Sequence, residues 1–353
     1  MSSEKFDINT FDPNGVGVQG RLFGMPFSVE NAKLVVIPVA WDVTVSFREG
    51  TSKGPAAILE ASPQLDFYQE DITDAWKLGI ALAEFPEKLS ALGADLRQKV
   101  NPYIEALEEG TTTVDAKENQ AVLSEINKGS EKLNDWLYQQ SSEFLAAGKL
   151  VATIGGDHST PLGLIRALAE VHNDFGILHI DAHADLREAY EGFEFSHASI
   201  MQNVLQLEEV KSLVQVGIRD FCEDEVKLVK ESDGRVVMFT DAQLKKGHFQ
   251  GISWHQQVMD IVERLPQHVY ISFDIDGLDP SLCPNTGTPV AGGLSFNEAL
   301  YLLEQTVRSG RTIIGFDLSE VGDDPWDANV GARILYRLSN LMGVSQNQLS
   351  FNI

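Results

Sequence analysis

Residues 176–185 read Gly176-Ile177-Leu178-His179-Ile180-Asp181-Ala182-His183-Ala184-Asp185. The apolar start predicts a buried strand. The end places three metal-competent side chains, Asp181, His183 and Asp185, within five residues. On an extended chain alternate side chains share one face. Asp181 and His183 therefore leave the strand end together, and Asp185 rejoins them as the chain turns. In open α/β sheets the ligand crevice lies at the carboxyl ends of the strands. Two further stretches repeat the arrangement. Gly155-Gly156-Asp157-His158-Ser159 follows the apolar run Leu150 to Ile154, and Ser272-Phe273-Asp274-Ile275-Asp276-Gly277-Leu278-Asp279-Pro280 follows Val269 to Ile271.

Outward from these stretches, apolar runs and amphipathic segments alternate. Strands are predicted at Leu34 to Val39, Leu78 to Ala83, Leu150 to Ile154, Phe175 to Ile180, Leu213 to Gly217, Val236 to Phe239, Val269 to Phe273 and Thr312 to Phe316. Helices are predicted from Pro55, from Lys88 to Ala146 with a break at Glu108 to Thr113, and at Pro161 to Val171, Ala198 to Leu207, Phe221 to Glu231, Ser253 to Leu265, Ser295 to Val307 and Trp326 to Met342. Ser295 and Glu298 have the spacing of a capping box. Strands alternating with helices predict a parallel sheet covered on both faces. The expected fold class is α/β, a single three-layer domain with an eight-stranded parallel sheet. Residues 1–33, rich in Gly, Pro, Asn and Phe, are read as an N-terminal arm, and residues 34–353 as the domain.

The chain has 353 residues, 43% of them hydrophobic, enough for a sizeable core. No apolar run approaches the ~20 residues of a membrane span. Met1 to Lys5 lacks signal-peptide character, and Cys222 and Cys283 lie far apart. A cytoplasmic protein is expected. The net charge of -25, from 27 basic and 52 acidic residues, argues against nucleic acid and anionic membranes. It serves solubility and favours a cationic small molecule.

His158, Asp181, His183, Asp185, Asp274 and Asp276 are the candidate metal ligands. Four carboxylates with two imidazoles suit Mn²⁺ and similar ions, and the absence of cysteine disfavours structural zinc. Two divalent ions ~3.5–4 Å apart can hold a hydroxide near neutral pH and direct it at an electrophilic carbon. That chemistry is metal-assisted hydrolysis.

The three stretches together resemble the signatures of the ureohydrolase family: arginase, agmatinase, formimidoylglutamase and relatives. The similarity runs from about Leu34 to Met342. The resemblance implies an arginase-like fold around an eight-stranded parallel sheet. It implies one metal on His158, Asp181, Asp185 and Asp274, and a second on Asp181, His183, Asp274 and Asp276. Asp181 and Asp274 would bridge. It implies two Mn²⁺ per chain, with two Ni²⁺ as the alternative, and a homo-trimer or homo-hexamer. His197, in Phe195-Ser196-His197-Ala198-Ser199, resembles the loop histidine that moves protons or contacts substrate. Glu320, in Asp317-Leu318-Ser319-Glu320-Val321, resembles the carboxylate that grips the guanidinium group. With Asp185 they form the expected catalytic set. A carboxylate can hold a planar guanidinium through two parallel hydrogen bonds.

Other residues receive plainer readings. His172, His248, His255 and His268 are read as surface or packing residues. His179 is read as a buried, hydrogen-bonded histidine. Asp157 and Asp279 are expected to orient ligands, and Thr286, Gly287 and Thr288 to line the site. Arg187 occupies the place where arginases carry an Asn that holds the amino-acid end of the substrate. Glu188, Glu191 and Glu194 follow in the same loop, which looks most like the agmatinase branch. Agmatine or a related guanidino-amine is therefore the first expectation. Free guanidine is an alternative if Trp326 shortens the pocket, formimidoylglutamate is another, and a non-catalytic binder of guanidinium or metal is a third.

Overall fold

The computed structural model describes residue 8 and residues 11–352. The reading of Met1 to Lys5, and most of the first ten residues of the arm, lie outside the described residues.

The strands are β1 (Leu34–Pro38), β2 (Ile80–Leu82), β3 (Leu150–Ile154), β4 (Phe175–Ile180), β5 (Val210–Ile218), β6 (Val236–Thr240), β7 (His268–Asp274) and β8 (Thr312–Ser319). They form one sheet in the order β2-β1-β3-β8-β7-β4-β5-β6, and every neighbouring pair is parallel. The helices are α1 (Gly54–Ala61), α2 (Glu87–Glu108), α3 (Gln120–Ala146), α4 (Leu162–Ala169), α5 (Ile200–Val204), α6 (Glu223–Glu231), α7 (Asp241–Phe249), α8 (Trp254–Val262), α9 (Phe296–Arg308) and α10 (Pro325–Ser345). One core cluster holds Ile58 of α1, Val258 of α8, Leu302 of α9 and Leu338 of α10. The other holds Leu96 of α2, Ile126 of α3, Ile165 of α4 and Met201 of α5. The sheet is thus covered on both faces, and β1 and β4 are buried along their whole lengths. This is why their sequences read as unbroken Val, Ile and Leu runs rather than alternating ones.

The strand order matters for function. β3, β8, β7 and β4 are neighbours at the centre of the sheet although they lie far apart in sequence. Their carboxyl ends bring together Gly155 to Ser159, Asp317 to Glu320, Asp274 to Asp276 and Asp181 to Asp185. Glycine permits the closest approach. A Cβ on Gly156 would stand 1.8 Å from the Trp41 carbonyl oxygen, because the segment after β1 crosses directly over the end of β3. Gly156 N donates to Val39 O and Asp157 N to Trp41 O, each at 2.8 Å, which locks that crossing.

Several elements differ from the sequence expectation. β2 has only three residues because Ala75–Leu78 wind into a 3-10 turn before it. β8 runs on to Ser319, since Asp317 and Ser319 are fully buried in spite of their polarity. The helix expected over Ala198 to Leu207 shrinks to α5, behind a 3-10 turn at His197–Ser199. α7 was not expected: its apolar periodicity is weak, and its start is set by Thr240, whose side chain accepts from Gln243 N while the Gln243 side chain returns to Thr240 N. The described part of the arm packs on the body. Leu22, Phe23 and Met25 are buried, Phe23 lies edge-on to Tyr336 of α10 at 5.1 Å, and Phe11 meets Trp76 at 5.3 Å.

The crossing at Gly156 gives a stability prediction. Gly156→Ala should cost about 3 kcal/mol or more, because only backbone movement relieves the contact. Gly234→Ala, in open space at φ 83°, should cost about 1 kcal/mol from backbone strain alone. Denaturant unfolding of the two variants checks this; equal losses would contradict the crossing.

Candidate metal centre

At the end of β3 the Asp157 side chain folds back on Ser159, accepting from its backbone N–H at 3.0 Å and also bonding its hydroxyl. That turn aims His158 at the ends of β4 and β7. His158 Nε2 lies 2.8 Å from Ser272 Oγ, and Ser272 Oγ donates to Asp317 Oδ1 at 2.9 Å. Ser272 and Asp317 are register partners across β7 and β8. Because Asp317 takes the Ser272 hydroxyl hydrogen, Ser272 must accept from His158, so His158 Nε2 carries the proton. The Nδ1 lone pair is left for the centre. It faces Asp181 Oδ2 at 2.9 Å, Asp185 Oδ2 at 3.1 Å and Asp274 Oδ2 at 3.3 Å. One nitrogen among three carboxylate oxygens has the form of a cation seat rather than a single hydrogen bond.

His183 builds the second half. Its Nδ1 lies 3.1 Å from Asp276 Oδ2 and 3.4 Å from Asp181 Oδ1. Asp181 therefore presents Oδ2 to His158 and Oδ1 to His183. Donor atoms of Asp181, His183 and Asp276 lie within 4.8 Å of one another, as do those of His158, His179, Asp181 and Asp185. Backbone amides fix the carboxylates: His183 N donates to Asp181 Oδ1 at 2.6 Å, Asp276 N to Asp274 Oδ1 at 2.8 Å, and Ala182 N to Asp276 Oδ1 at 3.0 Å. Asp185 takes a left-handed backbone, φ 54°, which turns it back toward the centre. All six predicted ligands converge, and all but His183 are buried.

The charges are strained toward a cation. Burial penalises the His158 imidazolium, yet Asp181, Asp185 and Asp274 raise its pKa well above the usual histidine range. His183 is likewise raised, with Asp276 and Asp181 outweighing its burial. Asp274 is pushed well above the usual carboxylate range by burial, then by Asp276 and Asp181. Asp185 is raised by burial and by Asp181. Asp181 goes the other way: burial opposes it, but His179, His158 and His183 hold it well below. The ion pairs these carboxylates make among the described residues are all to histidine. Four buried aspartates without Lys or Arg partners, joined through Asp181 into two adjoining groups, fit two divalent cations.

Glu320 follows β8 with φ 63° and is buried. Its Oε1 accepts from His158 N at 3.0 Å, while Oε2 is buried without a hydrogen-bond partner. Burial, then Asp157, raises its pKa well above the usual range. A Cβ on Gly287 would come within 2.9 Å of Oε2, Thr286 Oγ1 donates to Glu320 O at 2.8 Å, and Thr288 Oγ1 lies 3.5 Å from Asp276 Oδ2. The predicted turn at 286–288 does line the site. His197 N donates to Thr44 Oγ1 at 3.3 Å, and Thr44 Oγ1 donates to Asp157 Oδ2 at 3.4 Å. The His197 ring stands perpendicular to Tyr190. Desolvation, then the charges of His183 and His158, lowers its pKa to about 3.

Some expectations are corrected. Asp279 does not orient a ligand: its Oδ1 accepts from Ser281 N and Ser281 Oγ, so it caps its own turn. The three loop glutamates, close in sequence, do not border one hollow. Glu188 and Glu191 border a hollow of about 870 Å³ beside α6, and Glu194 borders another against α3. Trp326 is half exposed, and its indole N–H donates to Ser281 O, which ties it to the 281–285 turn. Sequence reasoning did not single out Gln215 or Thr44, and quoted Ser272 and Asp317 without assigning them a role. Only the polar side chains of Ser272 and Gln215 inside otherwise apolar predicted strands marked them, and Asp317 lay beyond its predicted strand.

The arginase family profile matches residues 32–338. The chain is 33% identical over 323 residues to the N(1)-aminopropylagmatine ureohydrolase of Thermus thermophilus, covering 91% of this chain and 94% of that protein. It is 28% identical over 294 residues to the agmatinase of Bacillus anthracis, covering 83% and 85%. Among solved structures, the agmatine ureohydrolase of Thermoplasma volcanium superposes with a TM-score of 0.67 at 22% identity, covering 96% of this chain and 98% of that one. The arginase from Bacillus subtilis superposes with a TM-score of 0.61 at 20% identity, covering 88% and 98%. At such identities the structural likeness speaks for the fold.

Cation binding must displace protons held by His158, His183, Asp185 and Asp274. All four have raised pKa values, so affinity should grow as pH rises and the protons become easier to remove. Titration calorimetry with Mn²⁺ in buffers of different ionisation enthalpy should show about two ions per chain and net proton release near pH 7. A single ion, or no proton release, would contradict the arrangement.

Proposed function

Because this chain belongs to the arginase family, a family of binuclear metal hydrolases, we propose that it hydrolyses the guanidinium end of agmatine or a related guanidino-amine and releases urea. The observation that carries this reading is Glu320. A buried carboxylate oxygen without a partner, on a residue held at φ 63° beside the metal ligands, is costly unless a ligand satisfies it. A planar guanidinium does so through two N–H groups. Relatives named for agmatine and its aminopropyl derivative support a guanidino-amine over an amino acid.

In this reading His158, Asp181, Asp185 and Asp274 hold one ion, and Asp181, His183, Asp274 and Asp276 the other. Mn²⁺ is preferred and Ni²⁺ is the alternative. Two bound divalent ions supply Lewis acidity that ionises water near neutral pH. Glu320 fixes the guanidinium carbon above the ligand cluster. Asp185 takes the proton that the attacking water loses. His197, neutral at physiological pH, relays a proton to the nitrogen that leaves. The carbon gains one C–O bond and loses one C–N bond, giving urea and the free amine.

The other substrates fit less well. Arg187 lies 4.9 Å from the Tyr190 ring centroid in a cation–π contact rather than standing free for a carboxylate such as that of formimidoylglutamate. Trp326 is half exposed and held by Ser281 O, which lends less support to a guanidine-sized pocket.

We read residues 1–33 as an arm on a domain of residues 34–353, with the family match beginning at residue 32 in support. Among the described residues no helix is long and apolar enough to cross a membrane. A cytoplasmic homo-trimer or homo-hexamer acting on a small cation, and not on nucleic acid or membranes, accords with the net charge of -25 and the unpaired Cys222 and Cys283.

Urea release from agmatine and N(1)-aminopropylagmatine should exceed that from arginine, guanidinobutyrate and guanidine with Mn²⁺ or Ni²⁺ loaded. Glu320→Gln should lower kcat/KM about 30-fold or more, the size expected when a buried charge pair loses one partner, with both ions retained. Arginine as the best substrate, or full activity in Glu320→Gln, would refute the reading.

A further inference from the structure

His179 and Gln215 lie side by side on β4 and β5, as register partners. Both are fully buried. His179 shares a strand face with Asp181, and its Nε2 lies 2.7 Å from Asp181 Oδ2. Gln215 Nε2 lies 3.0 Å from His179 Nδ1 and 2.7 Å from Ala184 O. We infer that Gln215 and His179 are a positioning pair: they set the orientation of the Asp181 carboxylate, and so the geometry of both metal seats, without binding metal themselves. The inference rests on the reading of Asp181 as a shared ligand.

The direction of each bond follows from one fixed point. The Ala184 carbonyl can only accept. The Gln215 atom against it at 2.7 Å must therefore be the amide nitrogen, since two oxygens at that distance would repel. The amide has a second hydrogen, and it points to His179 Nδ1. That nitrogen must then be an acceptor, so the proton of the neutral ring sits on Nε2. His179 Nε2–H thus donates to Asp181 Oδ2. A backbone carbonyl dictates an amide, the amide dictates a tautomer, and the tautomer dictates a carboxylate. Gln215 Oε1 is left buried without a partner. A glutamine kept there at that cost indicates that the nitrogen side matters.

Both ring nitrogens of His179 are engaged, which excludes it as a seventh ligand although its Nε2 lies among the donor atoms around His158. The donated hydrogen occupies one lone pair of Asp181 Oδ2 and stops the carboxylate from rotating. Oδ1 stays turned to His183, which in turn meets Asp276. With the opposite tautomer, a nitrogen lone pair would face Oδ2 at 2.7 Å and push the carboxylate away. Gln215 also grips Ala184, the residue between His183 and Asp185, so one side chain steadies the two ends of the ligand loop.

The test reads tautomer and metal, not turnover. Long-range ¹H–¹⁵N NMR of the metal-free wild-type protein should show His179 protonated at Nε2, and Gln215→Leu should lose that preference. By calorimetry, Gln215→Leu and His179→Leu should each bind Mn²⁺ about tenfold to hundredfold more weakly at both seats, the usual size of such effects. His179→Gln, which keeps an N–H donor, should recover most of the loss. A wild-type His179 protonated at Nδ1 overturns the inference without any variant having to fold. Wild-type affinity in folded Gln215→Leu, with loss in Asp181→Ala, overturns it alone. Wild-type affinity in Asp181→Ala as well overturns the ligand assignment beneath it.

Discussion

Four aspartates buried at the ends of two adjacent strands cannot all remain charged without positive charge among them. Asp181, Asp185, Asp274 and Asp276 are in that position, and the rest of the structure serves it. The sheet order sets β4 beside β7 and β8 beside β3, so that the carboxylates face His158 from one side and His183 from the other. Backbone amides at Ala182, His183 and Asp276 hold one oxygen of each of three carboxylates. Those bonds fix the carboxylates from the backbone side. Crowding shows in the titration of these groups: the pKa values of Asp274, Asp185, His158 and His183 are raised, while Asp181, surrounded by histidines, is held low.

Backbone strain marks the same places. Asp185 and Glu320 adopt φ values of 54° and 63°, a region that favours glycine. Neither is replaced by glycine, because each must turn a carboxylate back over the strand from which it comes. The strain is offset locally: Asp185 O accepts from Met201 N at 3.0 Å, and Glu320 N donates to Gly156 O at 2.8 Å. Where a side chain is not needed, glycine does stand. Gly156 passes under the Trp41 carbonyl, and a Cβ on Gly277 would lie 2.7 Å from Asp181 N. At these four positions the choice follows the need for a side chain: glycine where backbones cross, aspartate or glutamate where a carboxylate must turn back.

What could be read from the sequence follows from that physics. Buried parallel strands need apolar residues on both faces, so all eight strands were visible as runs, and β3 and β4 to the residue. The ligand cluster was visible because polar residues at the end of an apolar strand have no other reason to gather. Elements held by side chain to backbone bonds were not visible. α7 depends on the Thr240 and Gln243 cap, and the β8 extension depends on Asp317 accepting from Ser272 and Ser319. Loop geometry was the least legible. Glu188, Glu191 and Glu194 sit close in sequence, but a left-handed turn through Ala189 and Glu191 sends them to different hollows. Asp279, in a motif dense with ligands, faces its own turn instead.

Charge balance joins the metal centre to the class of substrate. Five carboxylates, those of Asp181, Asp185, Asp274, Asp276 and Glu320, lie in or beside one buried cluster. They outnumber the positive charges that two divalent ions bring. The loaded site thus still attracts a cation, and burial makes that attraction stronger than at the surface. His197 does not cancel it, since its pKa is lowered to about 3 and the ring is neutral at physiological pH. Beside the cluster, Glu320 offers the unpartnered Oε2. A guanidinium answers both demands at once: its positive charge completes the balance, and its planar N–H groups satisfy the carboxylate. A neutral amide would leave the excess charge, and a carboxylate would add to it. On the proposed reading, a preference for a guanidinium follows from the candidate metal ligands as much as from Glu320.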